Sequence, residues 1–193
     1  MKFYFIYSAG GGAGDWNGLK RIWNSYMPYE LKGNILLKFG DVFFNHASRK
    51  RLIKPRLWNS ITNFRGWLYD GTQDSYVLNH SNILLDSGTS KIVNFISTHN
   101  PNVTSEMLVE QFDDLITRNN ILEKYAEIIK VSNIDKAVTF DIPNTFKIRT
   151  QSGNTRTNIF TGRDNQLLIR QSAYYANKLV HLLGNDDNIL TTI

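Results

Sequence analysis

Cysteine is absent from the 193-residue chain, and this absence excludes several kinds of site at once. Without thiols the chain has no disulfide, thiolate zinc site, iron–sulfur cluster or cysteine nucleophile of its own. Long apolar runs are missing too, since no stretch reaches the roughly 18 residues of a membrane helix. The N-terminal segment MKFYFIYSAGGG lacks a convincing signal-peptide cleavage site. We therefore expect a cytoplasmic protein whose chemistry depends on Asp, Glu, His, Ser, Lys or Tyr.

Acidic residues are missing from two stretches, although the net charge of +5 is modest. Every charged residue between Asp41 and Asp70 is basic, with aromatic residues interleaved, and residues 142–163 form a second basic stretch rich in Gly, Thr and Asn. Such segments attract phosphates and stack bases. A solvated face with tryptophans in the core explains the same composition equally well. The predicted nucleic-acid-binding residues are Arg49, Lys50, Arg51, Lys54, Arg56 and Arg65.

Short apolar runs alternate with longer amphipathic stretches, which predicts a single α/β domain over residues 1–193. The runs are almost continuously apolar, as expected of parallel strands covered on both faces. The predicted strands are residues 2–8, 34–39, 82–86 and 137–141, and the predicted helices are residues 16–26, 104–118, 121–131 and 165–183. After the last helix we expect no further strand. Such βα units suit either the first half of a TIM-type (β/α) barrel or an open parallel sheet, which periodicity does not distinguish.

Glycine and histidine give weaker signals. The glycine cluster at residues 10–14 follows the first predicted strand, but its spacing satisfies neither the dinucleotide fingerprint nor the P-loop. A flexible active-site loop is the favoured interpretation, with a phosphate cradle as the alternative. The histidines are scattered without ligand spacing, so no metal site is predicted. A Ser-His-Asp triad stays open, although no G-x-S-x-G elbow indicates one.

Asp86 and Asp141 are the strongest candidates for a functional site, because each follows an apolar run directly. Aspartate is disfavoured in strands and is costly to bury. One such Asp is commonly a helix cap. Two of them at the carboxyl ends of parallel strands favour a shared pocket, because functional residues gather at that edge.

Three short motifs carry a resemblance to a known family. Residues 86–88 read Asp-Ser-Gly, residues 140–143 read Phe-Asp-Ile-Pro, and Ser172, Tyr175, Ala176 and Lys178 follow the pattern S-x-x-W-A-x-R with two conservative changes. In this order, over residues 80–180, the chain resembles the queuine/archaeosine-type guanine transglycosylases. The longer basic loop resembles more the branch, found in bacteria and phages, that inserts 7-deazaguanines into DNA. Thr89, Ser90 and Lys91 depart from the Gly, aromatic and Gln of the family pattern.

The resemblance implies exchange of a guanine or 7-deazaguanine base at a glycosidic bond of nucleic acid, with DNA favoured over tRNA. Asp86 would be the general acid/base, Ser87 and Gly88 would line the base pocket, and Asp141 would hydrogen-bond the base. This is sound chemistry, since a carboxylate accepts two parallel N–H bonds while a second one moves protons.

The family's nucleophilic Asp and its zinc site lie in a C-terminal half beyond this sequence. The resemblance therefore implies no cofactor in this chain, and it implies either a truncated or split enzyme that needs a complementary chain or a protein that has lost catalysis. The alternative function is a non-catalytic nucleic-acid-binding protein that uses residues 49–67.

Overall fold

The structure, a computed structural model, describes residues 4–7, 34–61, 82–132, 134–149, 155–184 and 189–190. The predicted helix at residues 16–26, the glycine cluster and Arg65 lie outside the described residues. Within them no helix is long and apolar enough to cross a membrane.

A parallel sheet organises the fold. The strands are β1 (Phe5–Tyr7), β2 (Asn34–Lys38), β3 (Asn82–Asp86), β4 (Lys136–Val138), β5 (Thr145–Arg149), β6 (Thr155–Ile159) and β7 (Ile189–Leu190). Five of them form the sheet in the order β1-β2-β3-β4-β7, and β5 and β6 form a separate antiparallel hairpin. The protein is therefore of the α/β class, and the described strands form an open sheet rather than a closed barrel.

Two strand predictions are confirmed and two others are corrected. β3 has the predicted bounds, and β2 is one residue shorter than predicted because a helix begins at Phe39. β4 ends at Val138 rather than at Asp141. The expectation of no strand after the last helix was wrong, because Ile189–Leu190 pairs with β4 and extends the sheet.

Helices cover much of the remaining chain. They are α1 (Phe39–Phe43), α2 (Pro55–Trp58), α3 (Thr89–His99), α4 (Ser105–Arg118), α5 (Ile121–Val131) and α6 (Gly162–Leu183). The predictions for α4, α5 and α6 are confirmed, although α6 begins three residues early. The sequence prediction missed α3, whose first residues read as a polar loop. Its apolar stripe of Ile92, Val93 and Ile96 is nevertheless fully buried.

The long helix α6 runs beside α4 and then beside α5, in the same direction as both. Hydrogen bonds join the helices at three successive levels, from Ser105 Oγ to Asp164, from Tyr175 OH to Asp113, and from Lys130 Nζ to the carbonyl of Leu182. A third helix, α3, packs against the hairpin β5–β6. The basic stretch predicted as a loop is this hairpin, because Phe146 and Phe160 are buried against each other at its base.

Tyr125 is the central core residue beneath the ends of β3 and β4. Its side chain is fully buried, and its ring packs edge to face on those of Phe39 and Phe140, with ring centroids 5.1 and 5.0 Å apart. Its hydroxyl lies 2.8 Å from the carbonyl oxygen of Leu85 and 2.9 Å from that of Val138. A single phenol therefore connects the two strands just before the candidate aspartates.

Candidate functional site

Asp86 is the last residue of β3, at the carboxyl edge of the sheet. Its Oδ1 accepts a hydrogen bond of 3.1 Å from the backbone N–H of Gly88. Gly88 adopts a left-handed conformation with φ of 70° and begins α3. The carboxylate is thus held by the turn from strand to helix, and its side chain is half-buried.

Asp141 lies three residues beyond the end of β4, in a segment that α6 holds in place. Ser172 Oγ accepts a 2.9 Å hydrogen bond from the backbone N–H of Ile142 and donates one of 2.8 Å to the carbonyl of Leu168. The hydroxyl on α6 therefore fixes the backbone next to Asp141. Pro143 follows and keeps this segment out of the sheet.

The two aspartates belong to one electrostatic unit. Thr89 Oγ1, in the first turn of α3, donates a 3.2 Å hydrogen bond to Asp141 Oδ1. Burial raises the pKa of Asp141 above its ordinary value, the negative charge of Asp86 raises this pKa further, and hydrogen bonds from Thr89 and the backbone oppose the rise. The charge of Asp86 thus acts on Asp141, although it has a smaller effect on the pKa of Asp141 than burial has.

A cavity of about 500 Å³ opens beside Asp141, between the segment after β4 and one face of α6. Its size falls in the range of roughly 300–1,000 Å³ that is common for small-molecule sites. Its walls combine apolar side chains with several amides. The lining residues are Thr139, Asp141, Ile142, Pro143, Asn144, Asn165, Ile169, Ser172, Ala173, Ala176 and Asn177.

The other predicted site residues do not line this cavity. Ser87 is fully buried, and its Oγ has no hydrogen-bond partner within the described part of the chain. Gly88 is buried against Gly40. Asp86 interacts with Asp141 through its charge. Of the four predicted residues, Asp141 lines this cavity, and Asp86, Ser87 and Gly88 lie outside its walls.

Sequence reasoning missed two residues of the site. Thr89 departs from the family pattern, yet it is the hydroxyl that holds Asp141. Tyr125 supports both strand ends from α5. No local signal marks either residue, because both contacts join parts of the chain that are far apart in sequence.

The motif in α6 divides into two residues that line the cavity, Ser172 and Ala176, and two structural residues, Tyr175 and Lys178. Ser172 holds the backbone beside Asp141. Tyr175 is buried against α4 and donates a 2.9 Å hydrogen bond to Asp113, and burial raises its pKa. Lys178 forms a 3.0 Å ion pair with Glu123.

The predicted basic residues separate into two groups. Arg49, Lys50, Arg51 and Arg56 are exposed. Lys54 is half-buried, and its Nζ donates a 2.7 Å hydrogen bond to the carbonyl of Asp41. Trp58 packs on Phe39 and Phe43 at the edge of the core. Of the two interpretations left open for the aromatic residues of this stretch, core packing is the one that holds for Trp58.

Within the described ranges, no three His, Asp or Glu side chains lie together in a way that would hold a metal ion. Comparisons of the chain with protein-family models, with curated proteins and with solved structures found no match. The assignment of a function therefore depends on the geometry of the site and on the motifs.

Proposed function

We propose that this protein binds a guanine or 7-deazaguanine base of nucleic acid in the cavity beside Asp141, in the manner of a guanine transglycosylase acting on DNA rather than on tRNA. The observation that carries the proposal is the position of Asp141, a partly buried carboxylate in the wall of a cavity whose volume of about 500 Å³ is sufficient for a small ring system. Guanine presents two parallel N–H donors, at N1 and at its exocyclic amine, and a carboxylate is their natural acceptor.

The remaining walls suit the rest of a purine. Ile142, Pro143 and Ile169 offer apolar surface to the ring faces, and Asn144 and Asn165 offer amides to its other polar edge. Asp86 does not line this cavity, so its proposed part in moving a proton to or from the base as the glycosidic bond changes is exerted through Asp141, with whose charge it interacts.

The winding of the sheet supports a partial (β/α) barrel as the finer description of the fold. Each described strand of the sheet lies beside its predecessor, and all pairings are parallel. This sequential order is that of TIM-type barrels, whereas doubly wound sheets reverse their order at a switch point. In such a barrel the edge that carries Asp86 is the catalytic face.

Base exchange also needs a nucleophile at the sugar. Asp86 and Asp141 are committed by the proposal to the base, so a complementary chain is proposed to supply this group. Base binding and turnover are consequently separate properties, and binding to this chain is the one to measure first.

Isothermal titration of the protein with guanine tests the proposal. Asp141→Ala is expected to abolish measurable heat, while Asp114→Ala, which removes an exposed carboxylate on α4, is expected to bind as the wild type does. Equal affinity of the wild type and Asp141→Ala would contradict the proposal.

A second function, non-catalytic nucleic-acid binding, is favoured by one observation. Arg49, Lys50 and Arg51 are consecutive and exposed on the loop that follows α1. In that case neutralising the three would weaken DNA binding, whereas Asp86→Asn and Asp141→Ala would leave DNA binding unchanged.

A further inference from the structure

Two lysines meet on a single buried aspartate near the site. Lys91 Nζ forms a 2.7 Å ion pair with Asp41 Oδ1, and Lys54 Nζ donates a 2.7 Å hydrogen bond to the backbone carbonyl of the same residue. The side chain of Asp41 is 4% exposed, whereas that of Lys91 is 32% exposed. Two ammonium groups therefore contact the same residue, Lys91 through the carboxylate of Asp41 and Lys54 through its backbone carbonyl, and the side chain of Lys91 reaches solvent.

The cluster joins segments that follow two neighbouring strands. Asp41 is in α1, which follows β2, Lys54 directly precedes α2, and Lys91 is in the first turn of α3, which follows β3. The two loops touch, since a Cβ atom on Gly88 would lie 2.8 Å from the Cα of Gly40. The lysine pair thus stands beside the turn that holds Asp86.

More positive charge lies on the segment between Asp41 and Lys54. A bridge between Phe44 and Ile53 closes this segment into a loop, and the Asn45 side chain donates hydrogen bonds of 2.9 and 3.0 Å to the carbonyls of Arg51 and Ile53. The ordered loop presents Arg49, Lys50 and Arg51 to solvent. Lys54 lies at the base of this loop, next to the Asp41 that Lys91 of α3 also contacts, and Arg49, Lys50 and Arg51 lie farther along the loop.

We infer that Lys54 and Lys91 bind a phosphate group of the nucleic-acid backbone next to the nucleotide whose base enters the cavity. The inference rests on the proposed function for the identity of the polymer, and on the lysine cluster for the phosphate. A chain of phosphates matches a discrete lysine pair followed by an exposed basic loop better than a single small anion does.

The repulsion between Lys54 and Lys91 favours the binding of an anion beside them. Burial lowers the pKa of Lys54, and the nearby charge of Lys91 lowers it further, against the opposing effect of Asp41. A phosphate between the two ammonium groups would reduce their repulsion and would stabilise both in the charged form.

Thermal unfolding with inorganic phosphate as the probe tests the site directly, with chloride added to hold the ionic strength constant. A ligand that binds the folded state raises its melting temperature. Phosphate is expected to raise the melting temperature of the wild type, and Lys91→Met is expected to lose most of this rise. Lys124→Met is the matched control, since Lys124 is also a partly buried lysine paired with a carboxylate, Glu127, and it should keep the full rise.

Asp41→Asn is expected to change the rise in melting temperature with phosphate in the opposite direction to Lys91→Met. It removes the negative charge and keeps both lysines, so its melting temperature without phosphate is expected to fall and its gain with phosphate is expected to exceed that of the wild type. An equal gain in wild type, Lys91→Met and Asp41→Asn would mean an adventitious ion only and would overturn the inference.

Binding of a single-stranded DNA oligonucleotide connects the cluster to nucleic acid. Lys91→Met is expected to lower the salt dependence of log K by the equivalent of about one phosphate, a slope of roughly 0.7, while guanine binding is unchanged. An unchanged slope would contradict a role in DNA binding.

Two variants show whether the base site and the phosphate site are independent. Asp141→Ala is expected to lose guanine binding and to keep the rise in melting temperature with phosphate, whereas Lys91→Met is expected to keep guanine binding and to lose that rise. Guanine binding that survives in Asp141→Ala contradicts the proposed function alone, and a phosphate response that survives in Lys91→Met contradicts the inference alone.

Discussion

Gly88 lies so close to Gly40 that a Cβ atom on Gly88 would stand 2.8 Å from both the Cα and the backbone nitrogen of Gly40. This contact joins the loops after β2 and β3, and it brings the Asp41 cluster beside the turn that holds Asp86. Gly88 also has a φ of 70°, which side chains other than glycine rarely adopt. Both sterics and backbone conformation therefore require glycine at this position.

Gly88→Ala is expected to destabilise the protein by roughly 2 to 4 kcal/mol, because the left-handed conformation and the backbone clash add together. Urea unfolding measures this loss. Gly184→Ala is the matched control, since Gly184 has a φ of 76° and nothing within 4 Å of an added Cβ atom. It should cost about 1 kcal/mol. Equal losses in the two variants would contradict the close packing of Gly88 on Gly40.

Tyr125→Phe is expected to cost about 1 to 2 kcal/mol in urea unfolding, because the hydroxyl satisfies buried carbonyl oxygens on two strands. The ring packing is retained, so the loss reports the hydrogen bonds. Guanine affinity should fall too, since the ends of β3 and β4 lose their common anchor. Tyr174→Phe, on the exposed surface of α6, is expected to change neither property. A Tyr125→Phe variant as stable as the wild type would contradict this anchoring role.

Asp141→Asn is expected to stabilise the folded protein near neutral pH. The pKa of Asp141 is raised from its ordinary value of 3.8 by burial, so the folded chain binds this proton more tightly than the unfolded chain does. Stability therefore falls as pH rises through the folded-state pKa, and the amide avoids this loss. The gain at about pH 7 should be at most ~1 kcal/mol, because solvent still screens the carboxylate.

The gain from Asp141→Asn should shrink on acidification, because the wild-type carboxyl becomes protonated in both states below pH 3.8. Urea unfolding at about pH 7 and about pH 4 checks this. Asp114→Asn is the control at an exposed carboxylate, and it is expected to give no gain in the free energy of unfolding at either pH. If the stabilisation by Asp141→Asn instead grew towards low pH, it would contradict a buried carboxyl whose pKa is raised in the folded state.

Neutralising Arg49 and Arg51 together is expected to weaken DNA binding without changing the affinity for guanine. Both side chains are exposed on the closed loop, so each is available to one phosphate. The slope of log K against log salt for a single-stranded oligonucleotide should fall by about 0.7 for each phosphate that the variant no longer neutralises. A double Arg→Gln variant with an unchanged slope would remove this loop from the DNA-binding surface.

The elements that the sequence predicted well are those with strong local periodicity. β3 is continuously apolar up to Asp86, and α4 and α5 carry regular apolar stripes, so their bounds were predicted to within a residue. The α/β class follows from the same alternation. Local pattern is sufficient here because each element buries one well-defined face.

The position at which β4 ends is determined by its pairing with β3 rather than by its own composition. Residues 137–141 are almost continuously apolar, but β3 pairs with β4 at Leu84 and Leu85 and itself ends at Asp86. Beyond Val138 the chain leaves the ladder, so Phe140 is buried under Tyr125 while Asp141 is released towards the cavity. The local pattern of residues 137–141 does not specify the register against β3, which decides where the pairing of the two strands stops.

The candidate site was predictable in part for the same reason. Asp86 and Asp141 were selected because each follows an apolar run, although β4 ends three residues before Asp141. The hydrogen bond from Thr89 to Asp141 and the ion pair from Lys91 to Asp41 join residues about 50 positions apart. Such contacts depend on how α3 is placed against both loops, which local patterns do not specify.

The most direct test of the base site compares guanine with hypoxanthine, which lacks the exocyclic amine. Calorimetric titration of the wild type should show tighter binding of guanine by about tenfold or more, because the carboxylate of Asp141 accepts a second charge-assisted hydrogen bond from that amine. Asp141→Asn should bind both bases weakly and with similar affinity. A guanine preference that persists in Asp141→Asn, or equal affinities in the wild type, would contradict the assignment of Asp141 as the residue that recognises the base.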